Sequence, residues 1–356
     1  MRAPPDRGWA SFAVIGLMAL PGQTVRLQPP QALDTGPLEE AVVNVQRLDR
    51  SVGESPFRSE VAPRVGIFKR EWQELWTNEQ PSIGTFSTLS ARLKGVRGLK
   101  GAGALPIRMV LGVFSRAGSE DHDYRQMIRN TWFRQSEVCL LNSPVPAANC
   151  SVYVTFVVGN DTVTDTGEKD LTVLPIRENM NMGKTHAWFY NASRTYTWAT
   201  HIAKMDMDAF PHLAYVLYWM RRARLASGCG NVFGGRPWTC TDEKFCPSAD
   251  CGLPGDNFLQ YNTSDDSRCF SYMQGGFYFI SRELARQTSK LGEFWDAQSQ
   301  ECYPEDAVTG RAITRYANRH KLCVSTVRFY KMDAYWHKET ARPWCGCNET
   351  CHGRAR

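Results

Sequence analysis

The chain has 356 residues, 42 basic and 36 acidic side chains and a net charge of +6. That length allows one large domain with an appendage or two modest domains. The basic excess is small and contains no dense Lys/Arg run, which argues against nucleic-acid binding.

All twelve cysteines lie at or beyond Cys139. An even count behind an apolar N-terminus suggests disulfides and an oxidising compartment. Five glycosylation sequons, at Asn149, Asn160, Asn191, Asn262 and Asn348, point the same way.

In chain order, residues 1–22 hold Arg2, Arg7 and an apolar run from Trp9 to Leu20, broken by Pro21 and Gly22. The run is short for a membrane span and suits either a signal peptide or a short signal-anchor. Residues 23–104 have weak periodicity and end in a basic, glycine-rich stretch, as a stem or linker does. Residues 105–340 change texture. Ile107–Phe114 reads as a buried strand, Asp123–Gln135 as a helix, and Val152–Val158 and Leu171–Leu174 as two further strands. Lys184–Trp198 reads as a helix, Thr200–Phe210 as a strand running into an acidic tip, with Pro211 opening the next helix. Residues 228–268 read as a long loop stapled by cysteines over a substrate cleft. Tyr272–Ser281 is an aromatic strand entered through Gly275 and Gly276, whose missing side chains allow close backbone approach to a ligand or a bulge. Pro304 starts a further helix with Glu305 and Asp306 in its first turn, and Val324–Phe329 is a late strand. Residues 341–356 form a Cys-rich tail with His352, suited to disulfides or, less simply, a metal.

Strands alternating with helices predict an α/β fold with a mainly parallel sheet flanked by helices. Ligands of such sheets sit at the carboxyl ends of strands. Asp206 and Asp208 lie at one such end and offer two hard oxygen donors, which suit Mg²⁺ or Mn²⁺. The bland alternative is a solvated acidic turn. For Glu305 and Asp306 it is helix capping.

Together these stretches resemble the β-1,3-glycosyltransferases with a GT-A fold, and the related trypanosomatid galactosyl- and N-acetylglucosaminyltransferases. The segments that carry this are Arg125–Trp132, Asn181–Thr185, Lys204–Phe210, Gly275–Ser281 and Glu305–Gly310, in the family's order. Met205 and Met207 interrupt the family's acidic run, and the cysteine-rich loop is not part of its pattern.

The resemblance implies a metal-dependent, inverting enzyme that takes UDP-galactose or UDP-N-acetylglucosamine and forms a β linkage, β-1,3 favoured, to a glycan acceptor. Asp206, Asp208 and His337 would stand on the metal side, with Asp208 the direct ligand. Asp306, or second Glu305, would be the base. Arg125, Arg129, Lys184, Lys204, Gly275 and Gly276 would line the donor, or Arg125, Arg129 and Lys184 would brace the first helix. The implied setting is a Golgi or ER membrane with the catalytic domain in the lumen. A catalytically silent glycan-binding protein of the same fold is the main alternative. A small cysteine-stapled adhesion module fits poorly with the strand–helix alternation.

Overall fold

The computed structural model describes residues 106–142, 145–146, 150–160, 167–227, 229–237, 269–301, 303–329 and 334–337. Residues 1–22, the stem, the Cys-rich tail and the sequon asparagines 149, 262 and 348 lie outside the described residues. The described residues all belong to one compact unit, and no helix among them is long and apolar enough to cross a membrane.

The core is a mixed sheet of eight strands. β1 (Met109–Phe114), β2 (Val138–Leu140), β3 (Val152–Gly159), β4 (Leu171–Leu174) and β5 (His201–Asp206) supply one half. β7 (Asn231–Pro237), β8 (Met273–Ser281) and β9 (Val324–Arg328) supply the other. The order is β2-β3-β1-β5-β8-β7-β9, with β4 also on β3. All pairings are parallel except those of β8, which runs against both β5 and β7. Every residue of β1 and β3 is buried, as nearly continuous apolar runs require in a sheet covered on both faces.

Helices supply the two covers. α1 (Ser119–Asn130) and α3 (Leu213–Ser227) lie on one face, where Met127, Ile128, Val216 and Met220 meet Leu111 and Val113. α2 (Thr185–Thr195), α4 (Arg282–Thr288), α5 (Phe294–Ser299) and α6 (Glu305–His320) lie on the other, where Trp188, Leu284, Trp295 and Ile313 meet Val110 and Phe114. Successive strand residues alternate between these two cores, giving three layers. Trp188 lies fully buried against Gly112, and its indole N–H donates to the Ala203 carbonyl at 2.9 Å. A Cβ at Gly112 would stand 2.6 Å from the Trp188 ring. Gly112→Ala should therefore destabilise the fold by about 1–3 kcal/mol, read as a lowered denaturation midpoint at unchanged m.

Three expectations are corrected here. The segment read as wholly loop contains β7. Gly234 lies within that strand, where a Cβ would sit 2.2 Å from Phe279 Cζ. Packing, not chain reversal, demands the glycine. Pro211 does not open a helix. It belongs to β6 (Ala209–Pro211), which pairs antiparallel with β10 (Tyr335–His337) as a small second sheet, and α3 starts at Leu213. Cys229, expected to staple the long loop, instead bonds Cys323. That bridge ties the start of β7 to the start of β9, which pair at Asn231 and Val324.

The second bridge, Cys139–Cys150, ties β2 to the entry of β3. Among the described residues no cysteine is free. In the loop-closure picture the two bridges remove roughly 3 and 4–5 kcal/mol of unfolded-chain freedom respectively.

Candidate active site

The carboxyl edge of the parallel strands collects most of the expected site residues. β1 and β5 end level there, Phe114 beside Asp206. Because β8 is reversed, its beginning, Gly275 and Gly276, arrives at the same edge, just beyond the Met205–Phe277 pair. The first turn of α6 brings Glu305 and Asp306.

The metal-side residues meet through the small sheet. β5 ends at Asp206, a turn of Met207 and Asp208 follows, and β6 begins at Ala209. Ala209 pairs with His337, which sets the imidazole beside Asp208. His337 Nε2 lies 3.2 Å from Asp208 Oδ1. One ligand atom from each of Asp206, Asp208 and His337 lies within 4.8 Å of the others. A Cβ on Gly276 would stand 3.0 Å from His337 Cγ, so Gly276 seats this histidine against β8. Burial lowers the affinity of His337 for a proton, but the Asp208 and Asp206 carboxylates outweigh it and its pKa is raised. Burial raises the Asp206 carboxyl, opposed by Lys204 and assisted by Asp208 and Glu305.

The donor set fits a divalent cation. Two carboxylates and an imidazole match Mn²⁺ or Mg²⁺ chemistry. His337 Nδ1 is buried and makes no hydrogen bond, which is a costly state for a polar nitrogen that a ligand would relieve.

Lys204 is the hub behind this triad. Its buried Nζ lies 2.6 Å from Asp206 Oδ1, 2.6 Å from Glu305 Oε1 and 2.7 Å from the Gly275 carbonyl oxygen. Burial disfavours the ammonium, yet Asp206 and Glu305 together raise its pKa. Glu305 also accepts from Thr185 Oγ1 at 3.1 Å and Tyr278 OH at 2.5 Å. Three donors thus occupy Glu305, and it links α2, β5, β8 and α6 as an internal anchor. A Cβ on Gly275 would stand 2.9 Å from Glu305 Oε1. The glycine pair thus admits protein side chains, Glu305 and His337.

Asp306 differs from Glu305. Its Oδ2 accepts from Gly275 N–H at 3.1 Å and its Oδ1 from Ala307 N–H at 2.8 Å. Burial, and then the neighbouring Glu305 charge, raise its pKa to about 7, against Lys204 and the two backbone donors. It is a helix-start carboxylate and also a carboxyl poised to exchange protons near neutrality.

Arg125 and Arg129, expected either at the donor or bracing the helix, brace it. Arg125 is buried, pairs with Glu168 at 2.9 Å and donates to Ser115 Oγ at 3.0 Å and the Ala117 carbonyl at 3.2 Å. Arg129 pairs with Asp170 through both carboxylate oxygens, at 2.8 and 2.7 Å, and with Glu168 at 2.9 Å. Lys184 is buried between Glu178, at 2.5 Å, and the Ser115 carbonyl, at 2.8 Å. A guanidinium or ammonium withdrawn from water needs such partners. Glu168, Asp170, Glu178 and Tyr278 were missed by sequence reasoning. Nothing in their local pattern shows which cations lie opposite them.

The remaining sequons separate. Asn160 is exposed at the end of β3. Asn191 lies inside α2, its amide nitrogen donating to the Ala187 carbonyl at 3.0 Å, with Ser193 fully buried. A glycan acceptor needs a surface loop, so the folded structure disfavours Asn191.

The galactosyltransferase family matches residues 123–316, more than half of the 356-residue chain. The chain belongs to the galactosyltransferase family. In this galactosyltransferase-family chain the matched segment runs from α1 through most of α6 and includes Asp206, Asp208, Glu305 and Asp306, while His337 lies beyond it. Membership supports a glycosyltransferase activity and implies a UDP-sugar donor and a glycan acceptor. Among solved structures, the crystal structure of A197 from STIV matches at 13% identity and a TM-score of 0.29, covering 62% of this chain and 82% of that one. That likeness is too slight to bear on function. No curated protein matches the chain.

Proposed function

We propose that this chain is a metal-dependent, inverting glycosyltransferase that moves galactose or N-acetylglucosamine from its UDP-sugar to a glycan hydroxyl, forming a β linkage, β-1,3 favoured. The observation that carries the reading is two separate chemistries at one sheet edge. One is the Asp206, Asp208 and His337 donor set. The other is Asp306, a carboxyl whose pKa is raised to about 7. A divalent cation, Mn²⁺ or Mg²⁺, held by Asp208 and His337 with Asp206 beside them, would offset charge on the departing diphosphate. Asp306 takes the proton of the acceptor hydroxyl as it attacks. The N–H groups of Gly275 and Ala307 aim that carboxylate. Lys204 donates to Glu305 and to the Gly275 carbonyl, and the Lys204–Glu305 pair holds the two halves in register.

The setting we propose is lumenal, in the Golgi or ER, with residues 1–22 as signal-anchor or signal peptide, 23–104 as stem and 105–340 as the catalytic domain. The bridges Cys139–Cys150 and Cys229–Cys323 support an oxidising compartment. The test is UDP release from UDP-galactose and UDP-N-acetylglucosamine, with simple sugar acceptors, in Mn²⁺ and in EDTA. Acceptor-stimulated release in Mn²⁺ that EDTA abolishes is the expected result. Donor binding without release from any UDP-sugar would favour the silent, glycan-binding alternative.

A further inference from the structure

On the α2-side face, away from the carboxyl edge, α4, α5 and α6 line an open pocket of about 320 Å³. Its walls include Phe294, Trp295, Tyr316, Glu293, Arg315 and Arg319. That volume lies at the small end of ligand sites, roughly 300–1,000 Å³. The mechanism above uses none of these residues.

α6 carries Arg311, Arg315 and Arg319 at four-residue spacing, so the guanidiniums share one face of the helix. Like charges so placed repel, and nearby carboxylates offset them poorly. Arg319 meets Glu293 at 3.4 Å. Among the described residues Arg315 makes no ion pair and no hydrogen bond. It rests instead over the Phe294 ring, 4.3 Å from its centre, with Arg311 over the same ring at 5.6 Å. A guanidinium stacked in this way is oriented while its N–H fork stays open to an acceptor. Aromatic walls with an aimed, unspent cation suit a sugar ring that carries a negative charge.

We propose that this pocket is a second saccharide subsite, which takes a sugar bearing an anionic group, phosphate or carboxylate, at Arg315 and Arg319 with its ring against Phe294 or Tyr316. Tyr316 follows Asp306 by ten helical residues, roughly 15 Å along α6 at 1.5 Å per residue. The bound unit is therefore a remote part of an extended acceptor, not the reacting sugar. That acceptor role rests on the glycosyltransferase reading, whereas binding itself does not.

The test is equilibrium binding to the full chain without donor or metal, using glucose 6-phosphate, glucuronic acid, glucose and inorganic phosphate as probes. Glucose 6-phosphate or glucuronic acid should bind about ten-fold or more tighter than glucose, as charge-assisted hydrogen bonds require. The tighter of the two identifies the anionic group. Arg315→Gln with Arg319→Gln should bring both down to the glucose level at an unchanged melting temperature. If the double variant fails to fold, Arg315→Gln alone carries the test, since Arg315 has no hydrogen-bond acceptor in the described structure. Binding of glucose equal to that of its charged forms overturns the proposal, as does anion binding that survives the substitutions. Inorganic phosphate binding as tightly as glucose 6-phosphate removes the saccharide. Because no donor is present, failure here leaves the transferase reading intact, and absence of UDP release leaves this binding result intact.

Discussion

Asp306→Asn should lower transfer to acceptor by about 10²–10⁴ while UDP affinity in Mn²⁺ stays within a few-fold of the parent. Asparagine offers one carbonyl oxygen to the N–H groups of Gly275 and Ala307, where aspartate offers two carboxylate oxygens. One backbone donor then faces an NH₂, a local cost of about 1–3 kcal/mol. Removal of an ionised carboxylate from a site that disfavours the charge offsets part of that cost. Stability should change little, and lost transfer with kept binding identifies the base. Lost binding as well would assign Asp306 to holding the site together. Normal transfer would remove the base assignment.

The same residue sets two opposite pH dependences. The folded carboxyl has a pKa of about 7, against about 3.9 for an unfolded aspartate. The folded state therefore binds this proton more tightly than the unfolded state. Its contribution to stability is full below about pH 4 and is lost as pH rises through about 7. Activity runs the other way, because a base works only when deprotonated. The parent kcat/KM should climb with pH and level off above about 7. In Asp306→Asn both inflections should vanish from melting and rate profiles.

Asp208→Asn should lower metal-dependent turnover by about 10²–10³, or roughly 3–4 kcal/mol of transition-state stabilisation. The change is nearly isosteric, and an Asn carbonyl oxygen can still accept from His337 Nε2 across the 3.2 Å gap. The packing of β6 on β10 survives, so a loss of rate reports the missing charge. A Mn²⁺ titration of UDP release measures it, and the half-saturating concentration should rise steeply. Because the carboxylates raise His337's pKa, protons compete for the imidazole and metal affinity should fall as pH is lowered through that value. Full turnover of the variant at low Mn²⁺ would take Asp208 out of the metal site.

Much of the sheet was legible because buried strands leave a local trace. Ile107–Phe114 and Val152–Val158 are mostly apolar runs, interrupted only by Arg108 and Thr155, and they became β1 and β3, shifted by one or two residues at their ends. The acidic tip at Asp206 and Asp208 was legible as a strand end, because alternation and apolar character stop there together. The alternation of strands with helices placed both aspartates at the carboxyl edge, by the rule that parallel strands end on the same side. The even cysteine count signalled disulfides, though not their partners.

Other features depended on registers that no local pattern encodes. His337 reaches Asp208 only because β10 pairs with β6, and the two strands are more than a hundred residues apart in the chain. Cys229 finds Cys323 because β7 lies beside β9, and within β7 the packing of the Phe279 ring leaves no room for a Cβ at Gly234. The assignment of charges was decided in the same way. Arg125, Arg129 and Lys184 look like anion ligands in the sequence, but cations largely withdrawn from water take the nearest carboxylates, and Glu168, Asp170 and Glu178 arrive first. Glu305 and Asp306 are neighbours with the same chemistry in the sequence. The fold gives Glu305 three side-chain donors and leaves Asp306 two backbone N–H groups, one of them its neighbour's, and that difference in environment makes one an anchor and the other a carboxyl poised near pH 7.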